Sequence, residues 1–395
     1  MANRLQIEEK LDALNHLIAH QNAAIDLLAS DKRTELATDL GLVAELIHNG
    51  ELMEVMDYGD QISLNWTQNQ TEYAMPFDLC HVENAYLEDG ESIPVADFES
   101  HYTLPSGVLF DEAEAIFASN SAKPAGTYYF TVENDAWGGN NGKSFQFTLP
   151  QELPAGYQIR KSGGYNANLL NCTLDVYENG SSRTKLYSMT PTEGESGTFL
   201  GKTDGTGDLN HWHRVALGYN RWSQSFLRQY LNATGAAGTY YVQQNKWDVK
   251  PAVADTLAGF LNGFDESLLQ FMKQTQIKTV TCNADGNVID TTYDRVFLSS
   301  LEQMYCVPQF PGEEGEYWEY YKRLLGRTAP APTVATYTRL IKYGLNAKTS
   351  ARNCFRRSAD RYYACYVWYV YSSGYVNSSY ASNGTRCAPC LRISL

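Results

Sequence analysis

A stretch near the C-terminus predicts a β-hairpin: Val367-Trp368-Tyr369-Val370-Tyr371-Ser372-Ser373-Gly374-Tyr375-Val376-Asn377. Alternate residues of a strand point to opposite faces of a sheet, so Val367, Tyr369 and Tyr371 share one face, opposite Trp368 and Val370. The glycine marks the turn, and the residues after it begin the return strand. We therefore expect the Trp368 face to point inward and the Tyr369 face to point outward.

The segment around this hairpin is rich in Tyr, Ser and Asn. Exposed Tyr offers a large amphipathic contact at low entropy cost, while Ser and Asn adapt their hydrogen bonds to a ligand. An ordinary sheet core is the alternative, because Tyr also favours strands. A core would use Val, Ile and Leu freely, and residues 377–390 contain none of them. The composition therefore favours a binding surface.

Several segments resemble the target proteins of diversity-generating retroelements, which are found in gut phages and bacteria. Near the C-terminus, in the segment 351–395 that we call the tail, they are Arg357-Ser358-Ala359-Asp360-Arg361, the hairpin, and Arg386-Cys387-Ala388-Pro389. Upstream they are Gly218-Tyr219-Asn220-Arg221-Trp222-Ser223-Gln224-Ser225, with Arg228, Leu231 and Asn232, and Phe297-Leu298-Ser299-Ser300-Leu301-Glu302. The resemblance covers roughly residues 50 to 395. It implies an α+β fold of the C-type-lectin or formylglycine-generating-enzyme-like type.

The resemblance also implies a set of variable, ligand-binding positions. In such systems an error-prone reverse transcriptase mutates template adenines, chiefly in Asn codons, which then encode Tyr, Ser, Asp, Cys, Gly or Thr. The positions that align with mutable ones are Asp360, Tyr362, Tyr363, Cys365, Tyr366, Tyr369, Tyr371, Tyr375, Asn377, Ser378, Ser379, Tyr380, Ser382, Asn383 and Thr385. The fixed scaffold would comprise Val367, Trp368, Val370, Gly374, Val376, Ala381, Arg386 and Pro389. Family tails often carry Trp-Leu-Arg-Ser where this chain reads Phe355-Arg356-Arg357-Ser358, so the lower boundary of the variable region stays open.

The domain organisation follows from these patterns. Residues 1–48 predict a helical segment, because apolar residues fall on the a and d positions of a heptad repeat and a second amphipathic stretch then ends at Gly50. Oligomerisation or attachment through this segment is favoured over docking on the body, although the coiled coil is marginal by itself. Residues 49–395 are expected to form one C-type-lectin-like ligand-binding domain, with 118–203 as an inserted β-sandwich-like subdomain and 350–390 as the variable region.

Local patterns predict several further elements. Within 118–203, residues 127–132 and 144–149 are predicted to form strands, and turn clusters are expected at 137–142 and 162–164. Residues 54–66 read as two strands joined by a turn at Gly59, and Asp285-Gly286 reads as a hairpin turn. Residues 222–231 have helical spacing, with Ser223 or Ser225 as the N-cap. Residues 253–273 and 334–341 are two more helical candidates.

The charge distribution and the cysteines bear on partners and cofactors. The net charge of -14 argues against a general nucleic-acid binder. The segment from Ala351 to Leu395 is nevertheless basic, which would either attract an acidic ligand or satisfy buried carbonyls and carboxylates. The second interpretation is favoured. Cys387 and Cys390 form a C-x-x-C pair without a second pair, and the dyad His211 and His213 lacks a nearby carboxylate, so we predict no metal and no cofactor.

The leading functional hypothesis is a non-enzymatic receptor- or ligand-binding protein, either a phage tail-fibre adhesin or a bacterial display protein. Its partner would be a protein or glycan on a target cell, and a homo-oligomer, dimer or trimer, would form through the N-terminal helix. We expect no membrane insertion and no signal peptide, hence a virion, a bacterial cytoplasm or a cell surface. Two alternatives remain: a purely structural tail component, or an enzyme like the copper-using sulfatase oxidase that shares the fold and needs two reactive cysteines.

Overall fold

The computed structural model describes residues 39–135, 139–162, 169–179 and 183–395, which form a mixed structure of β-sheets and a few helices. The α-helices of these residues are Leu40–Asn49 (α1), Leu52–Val55 (α2), Trp212–Leu217 (α3), Phe226–Asn232 (α4) and Glu319–Leu325 (α5). The strands are Gln61–Gln68 (β1), Thr71–Tyr86 (β2), Ser92–Ser100 (β3), Phe117–Ser119 (β4), Gly126–Thr131 (β5), Ser144–Leu149 (β6), Tyr157–Ser162 (β7), Thr173–Glu178 (β8), Lys185–Met189 (β9), Thr192–Glu193 (β10), Thr198–Lys202 (β11), Thr275–Val280 (β12), Ile289–Asp294 (β13), Val296–Phe297 (β14), Lys342–Gly344 (β15), Ala347–Arg352 (β16), Cys354–Ala359 (β17), Tyr366–Val370 (β18), Val376–Tyr380 (β19), Arg386–Cys387 (β20) and Cys390–Ile393 (β21).

A five-stranded sheet in the order β1-β2-β3-β21-β14 carries the main core. Strand β1 shows why the sequence forms it: Ile62, Leu64 and Trp66 are buried, while the residues between them are exposed or half-buried. This period of two is typical of a strand with one buried face. Strand β21 pairs antiparallel with β3, with Cys390 opposite Glu99. The last strand of the chain is thereby built into the same sheet as the first ones.

Helix α1 docks on this sheet. Asp39 accepts a hydrogen bond from the backbone N–H of Leu42 as the N-cap, and Gly50 ends the helix in the left-handed conformation. The predicted end at Gly50 is confirmed. The apolar side chains of α1 are buried in the main core, so docking describes this part of the predicted N-terminal segment. The heptads before residue 39 lie outside the described residues.

Strands β4 to β11 form two four-stranded sheets, in the orders β4-β7-β8-β9 and β10-β6-β5-β11. Both sheets contribute to one hydrophobic core of their own, which includes Phe130, Phe147 and Val176. The expected strands at 127–132 and 144–149 correspond to β5 and β6. The expected turns at 137–142 and 162–164 fall partly outside the described residues. Gln158 on β7 joins these sheets to the segment that follows them, because its Nε2 donates to the carbonyl oxygens of Lys246 and Asp248.

The tail forms a sheet in the order β19-β18-β17-β20. Strands β18 and β19 pair antiparallel, with Tyr366 opposite Tyr380 and Val370 opposite Val376. The predicted hairpin is thus confirmed. The hairpin between β12 and β13 is also confirmed, with Gly286 left-handed in its turn, and so is the cap of α4, where Ser225 accepts from the N–H of Arg228.

Three local predictions are wrong. Residues 253–273 contain the 3-10 turns Ala252–Asp255, Phe260–Gly263 and Glu266–Leu268 instead of a helix. Gly259 lies so close to the backbone of Ala233 that tertiary contact, rather than helical periodicity, sets this path. Residues 334–341 hold only the 3-10 turn Thr338–Leu340, because the backbone of 334 and 335 hydrogen-bonds Val376. The first expected strand of 54–66 does not form: residues 54 and 55 belong to the short helix α2, and 56–60 connect it to β1, which forms as expected.

Candidate ligand-binding surface

The turn of the tail hairpin packs closely against the backbone of Tyr337. Gly374 has φ +83°, and a Cβ there would collide with the carbonyl oxygen of Tyr337. The N–H of Tyr337 donates to the Gly374 carbonyl over 2.8 Å, while the N–H of Gly374 donates to Tyr371 over 2.8 Å. Only glycine fits such a left-handed position in close contact with another backbone. The hairpin is therefore held at its turn as well as at its base.

Asn220 holds the loop that leads into the hairpin. Its side-chain Nδ2 donates to the carbonyl oxygens of Asp360, Tyr363 and Tyr366 over 3.1, 2.9 and 2.9 Å. Its backbone N–H donates to Ala364 over 2.9 Å. The carboxylate of Asp360 adds a turn within the loop, since Oδ1 accepts from the N–H of Tyr362 over 2.9 Å. The side chain of Tyr362 is left 64% exposed and that of Tyr363 37% exposed.

The tyrosines of this region contact one another in two groups. In the first group, the ring centroids of Tyr363 and Tyr366 are 5.2 Å apart. Tyr366 also stacks on Tyr380, with ring centroids 5.1 Å apart. In the second, Tyr371 lies 4.2 Å from Tyr369 and 5.8 Å from Tyr375. Aromatic pairs at these distances stabilise each other beyond the area they bury. The rings therefore form pre-ordered contact groups.

The structure divides the expected variable positions into accessible and buried ones. The exposed or half-buried ones are Tyr362, Tyr363, Tyr366, Tyr371, Tyr375, Asn377, Ser378, Ser379, Tyr380, Ser382 and Asn383. The buried ones are Asp360, Cys365, Tyr369 and Thr385. The scaffold residues Trp368, Val370 and Gly374 are buried as well, while Arg386 is half-buried.

The expected outward orientation of Tyr369 is wrong. Tyr369 lies directly opposite Phe355 in the register of β17 and β18, and the two ring centroids are 6.3 Å apart. Phe355 belongs to the main core. Trp368 is also buried, and its Nε1 donates to the side chain of Gln309 over 3.4 Å. Strand β18 is thus covered on both faces, and only its ends and the adjoining loops present accessible tyrosines.

Buried arginines anchor the tail from beneath. Arg356 donates from Nη1 to Oε1 of Glu99 and to Oγ of Ser299, each over 2.6 Å. Lys342 forms an ion pair with Glu99 over 2.9 Å, and Tyr321 donates its hydroxyl to the same carboxylate. Burial by itself would raise the pKa of Glu99, but Lys342 and Arg356 lower it to about 2. In this cluster the tail arginine satisfies a buried carboxylate, as the favoured interpretation of the basic segment expects.

Glu314 is a second buried carboxylate, and its burial is not evident from the sequence. It accepts hydrogen bonds from the hydroxyl of Ser358 and from the backbone N–H of Val280, while Arg357 donates to its carbonyl oxygen. Burial raises its pKa, and the charge of Arg357 lowers it. No local pattern distinguishes Glu314 from its exposed neighbours Glu313 and Glu316, because its partners lie far away in the sequence.

Two histidines lie beneath the first tyrosine group. The rings of His211 and His213 are 4.9 Å apart, and His213 lies 5.8 Å from Tyr363. Both are buried, and His211 caps α3 by accepting from the N–H of His213. Burial lowers the pKa of His211 to about 3 and that of His213 to about 4. Both imidazoles are therefore neutral at physiological pH.

We predict that His213 makes the fold sensitive to acid. Its folded-state pKa lies below the unfolded value of about 6.5, so its contribution is present above pH 6.5 and is lost as the pH falls towards 4. Each pH unit in this window should remove about 1.4 kcal/mol of stability. Chemical denaturation from pH 7 to 4.5 should show this slope reduced in His213→Gln. Groups that titrate in the opposite direction, such as Asp248, are common to both proteins and cancel in the difference. Equal slopes would contradict the prediction.

The cysteines and the metal-ligand types offer little conventional chemistry. All eight thiols are free and buried. Burial raises the pKa of Cys387 and Cys390 well above the ordinary value, which keeps them protonated and unreactive. Among the residues described, no group of three or more His, Cys, Asp or Glu side chains is arranged to hold a metal ion. None of the helices in the described ranges has the length and apolar character for crossing a membrane.

Comparison with known proteins gives one match. The family described as "Domain of unknown function (DUF6273)" matches residues 195–395, just over half of the chain. The match includes Asn220, the arginines of the tail and the hairpin. No curated protein and no solved structure matches the chain.

Proposed function

We propose that this chain, which belongs to the DUF6273 family, is a non-enzymatic ligand-binding protein whose Tyr, Ser and Asn surface is diversified by a retroelement. It would serve as a phage tail adhesin or a bacterial display protein. We further propose that its body has a C-type-lectin-like fold. The mixed architecture and the pairing of β21 with β3 support this assignment.

The observation that carries the proposal is the separation of the tail into an accessible and a buried set. The residues whose types can arise from Asn codons supply the whole accessible tyrosine surface, from Tyr362 to Asn383. Of the fixed scaffold, Arg386 is half-buried and the other positions are buried: Val367, Trp368, Val370, Gly374, Val376, Ala381 and Pro389. Ser372 and Ser373 belong to neither set and are exposed. A surface that changes its side chains while its core stays fixed must keep these two sets apart, because core substitutions destabilise a fold.

The four buried positions of the variable set would act differently from the others. Asp360 shapes the loop through its bonds to the N–H groups of Tyr362 and Tyr363. Tyr369 fills space against Phe355. We propose that substitution at Asp360, Cys365, Tyr369 and Thr385 alters the shape of the surface without direct contact with the ligand.

The N-terminal segment would supply avidity. We propose that it joins two or three copies, so that several modest sites engage a cell surface together. Linked sites can exceed the affinity of one site by about 10²–10⁴ without any new contact. Sedimentation of the full chain should then show a dimer or trimer, whereas a protein beginning at residue 39 should be monomeric. A monomeric full chain would contradict this role.

Alanine replacement tests the binding surface. Replacing Tyr362, Tyr363 and Tyr366 together should weaken binding of the full chain to its target cells by at least about tenfold, since aromatic anchors dominate interfaces. The matched control replaces Tyr86 and Tyr317, which are 53% and 37% exposed outside the variable region, and should bind as the unchanged protein does. Equal binding by both variants would overturn the proposal and favour a structural component.

A further inference from the structure

Five of the six arginines of the tail fall into two groups, and the sixth, Arg361, donates to the side chain of Asn283 and lies over the ring of Phe310. Arg356, Arg357 and Arg392 are buried and meet carboxylates or carbonyls of the core. Arg352 and Arg386 are half-buried, and neither forms an ion pair with an acidic side chain within the described ranges. The charge of these two arginines is therefore not explained by the fold.

The two guanidinium groups converge on Gly344. A Cβ at this position would lie 2.8 Å from Nη1 of Arg386 and 3.3 Å from Nε of Arg352. Arg386 is held in place from one side, because Nη1 donates to the carbonyl of Leu104 over 3.2 Å and to the side chain of Asn346 over 3.0 Å. By contrast, Nε of Arg352 is shielded from solvent and has no hydrogen-bond partner among the residues described.

A cavity of about 300 Å³ opens beside these arginines. Its lining includes Arg352, Asn353, Ser372, Thr385 and Arg386, and no acidic residue belongs to it. The side-chain Oδ1 of Asn353 accepts from the N–H of Ser372 over 2.9 Å. The amide Nδ2 of Asn353 and the two hydroxyl groups add donors to the same space. The cavity thus combines two cations with neutral donors.

The electrostatic situation of this cavity is unfavourable when it holds no anion. Burial and repulsion from Arg352 both lower the pKa of Arg386. Two like charges held close together repel each other, and partial burial weakens the solvent screening that would relieve them. An oxyanion in the cavity that both arginines line would offset this repulsion through charge-assisted hydrogen bonds. The planar fork of Arg matches carboxylate and phosphate groups in shape.

We propose that this cavity binds a carboxylate or phosphate group of the ligand, as a fixed anchor at the edge of the variable surface. Its role in recognition rests on the proposed function, while anion binding itself does not. Thr385, one of the proposed variable positions, lines the same cavity as Arg352 and Arg386, neither of which belongs to the variable set. Diversification would then change the contacts around a constant acidic group. The ligand class is accordingly anionic.

Titration with small anions tests the anchor. Inorganic phosphate and acetate are titrated separately into the full chain by calorimetry, at constant ionic strength so that general screening does not change. Saturable binding of one anion per chain is expected for at least one probe, and the probe that binds identifies the preferred group. Arg352→Gln and Arg386→Gln should each weaken it by at least about tenfold, because each loses charged hydrogen bonds. Arg339→Gln, which changes a surface arginine bonded to the carbonyl of Leu324, should leave it unchanged.

A variant that keeps the structure guards against a folding artefact. Asn353→Asp retains the acceptor for the N–H of Ser372 and places a carboxylate in the cavity lining. It should abolish the binding of phosphate and acetate and raise the melting temperature, since the arginines gain a counter-charge. The absence of saturable binding by either anion would overturn the anchor, and so would equal affinity in Arg339→Gln and the two cavity variants. Either result would leave the alanine test of the tyrosines untouched, so the two proposals fail separately.

Discussion

Glu99→Gln should destabilise the folded chain by about 3–5 kcal/mol, because it leaves two cations buried without their shared anion. The carboxylate is completely buried and lies within 2.6 Å of Arg356 and 2.9 Å of Lys342. Glutamine has the same shape but no charge, so packing is maintained and the loss is electrostatic. Urea denaturation at pH 7 measures the effect as a change in the free energy of unfolding.

The pH dependence of this effect separates charge from shape. The folded-state pKa of Glu99 is about 2, below its unfolded value, so its contribution is present above about pH 4.5 and is lost as the pH falls towards 2. The difference between Glu99→Gln and the unchanged protein should therefore shrink in that window. Glu72→Gln, an exposed change on β2, should alter stability by less than about 0.5 kcal/mol at any pH. If the effect of Glu99→Gln were as small as that of this control, Glu99 would not be the carboxylate that holds Arg356 and Lys342 beneath the tail.

Asn220→Ala should disturb the binding surface although it changes none of the variable residues. Three carbonyl oxygens, of Asp360, Tyr363 and Tyr366, would lose the donor they share. A buried polar group without a partner costs about 1–3 kcal/mol, so the loop should loosen as well as the fold. We expect a lower melting temperature, faster amide exchange across residues 360–366 and weaker ligand binding even though no tyrosine has changed.

Two variants bracket this prediction. Asn220→Asp should be worse than alanine, because its carboxylate would face the same carbonyl oxygens. Asn383→Ala removes an exposed side chain that, among the described residues, donates only to Oγ of Ser379, and it should change stability by no more than about 0.5 kcal/mol. Unchanged exchange in Asn220→Ala would show that other contacts position the loop, and Asn220 would lose its role as a positioning residue.

The parts of the fold that depend on neighbouring residues could be predicted from local sequence patterns. The hairpin, its turn at Gly374, the end of α1 and the cap of α4 each depend on residues close together in sequence, and these predictions are confirmed. The 253–273 prediction failed because apolar spacing alone does not distinguish a helix from a chain that packs its side chains through successive 3-10 turns. The contact between Gly259 and Ala233 cannot be read from either segment alone.

The site could be predicted in composition but not in orientation. Alternation assigned Tyr369 to an outward face, yet β17 supplies Phe355 on that same face and the main core covers it. Strand alternation gives two faces without saying that both are covered. The arginines of the basic tail likewise have two roles. Arg356 pairs with Glu99, which lies more than 250 positions away in sequence. Arg352 and Arg386 have no such acidic partner among the described residues. Only the folded arrangement separates them.

Sequencing the encoding locus in several related isolates shows whether one set of positions changes while the scaffold stays fixed. We predict a nearby reverse transcriptase gene and a near-repeat of the codons for about residues 350 to 390, with mismatches at template adenines. Substitutions between isolates should concentrate at accessible positions such as Tyr362, Tyr366 and Tyr380, while Trp368, Val370 and Gly374 stay constant. A gene without such a repeat, or substitutions spread evenly over buried and accessible positions, would contradict it.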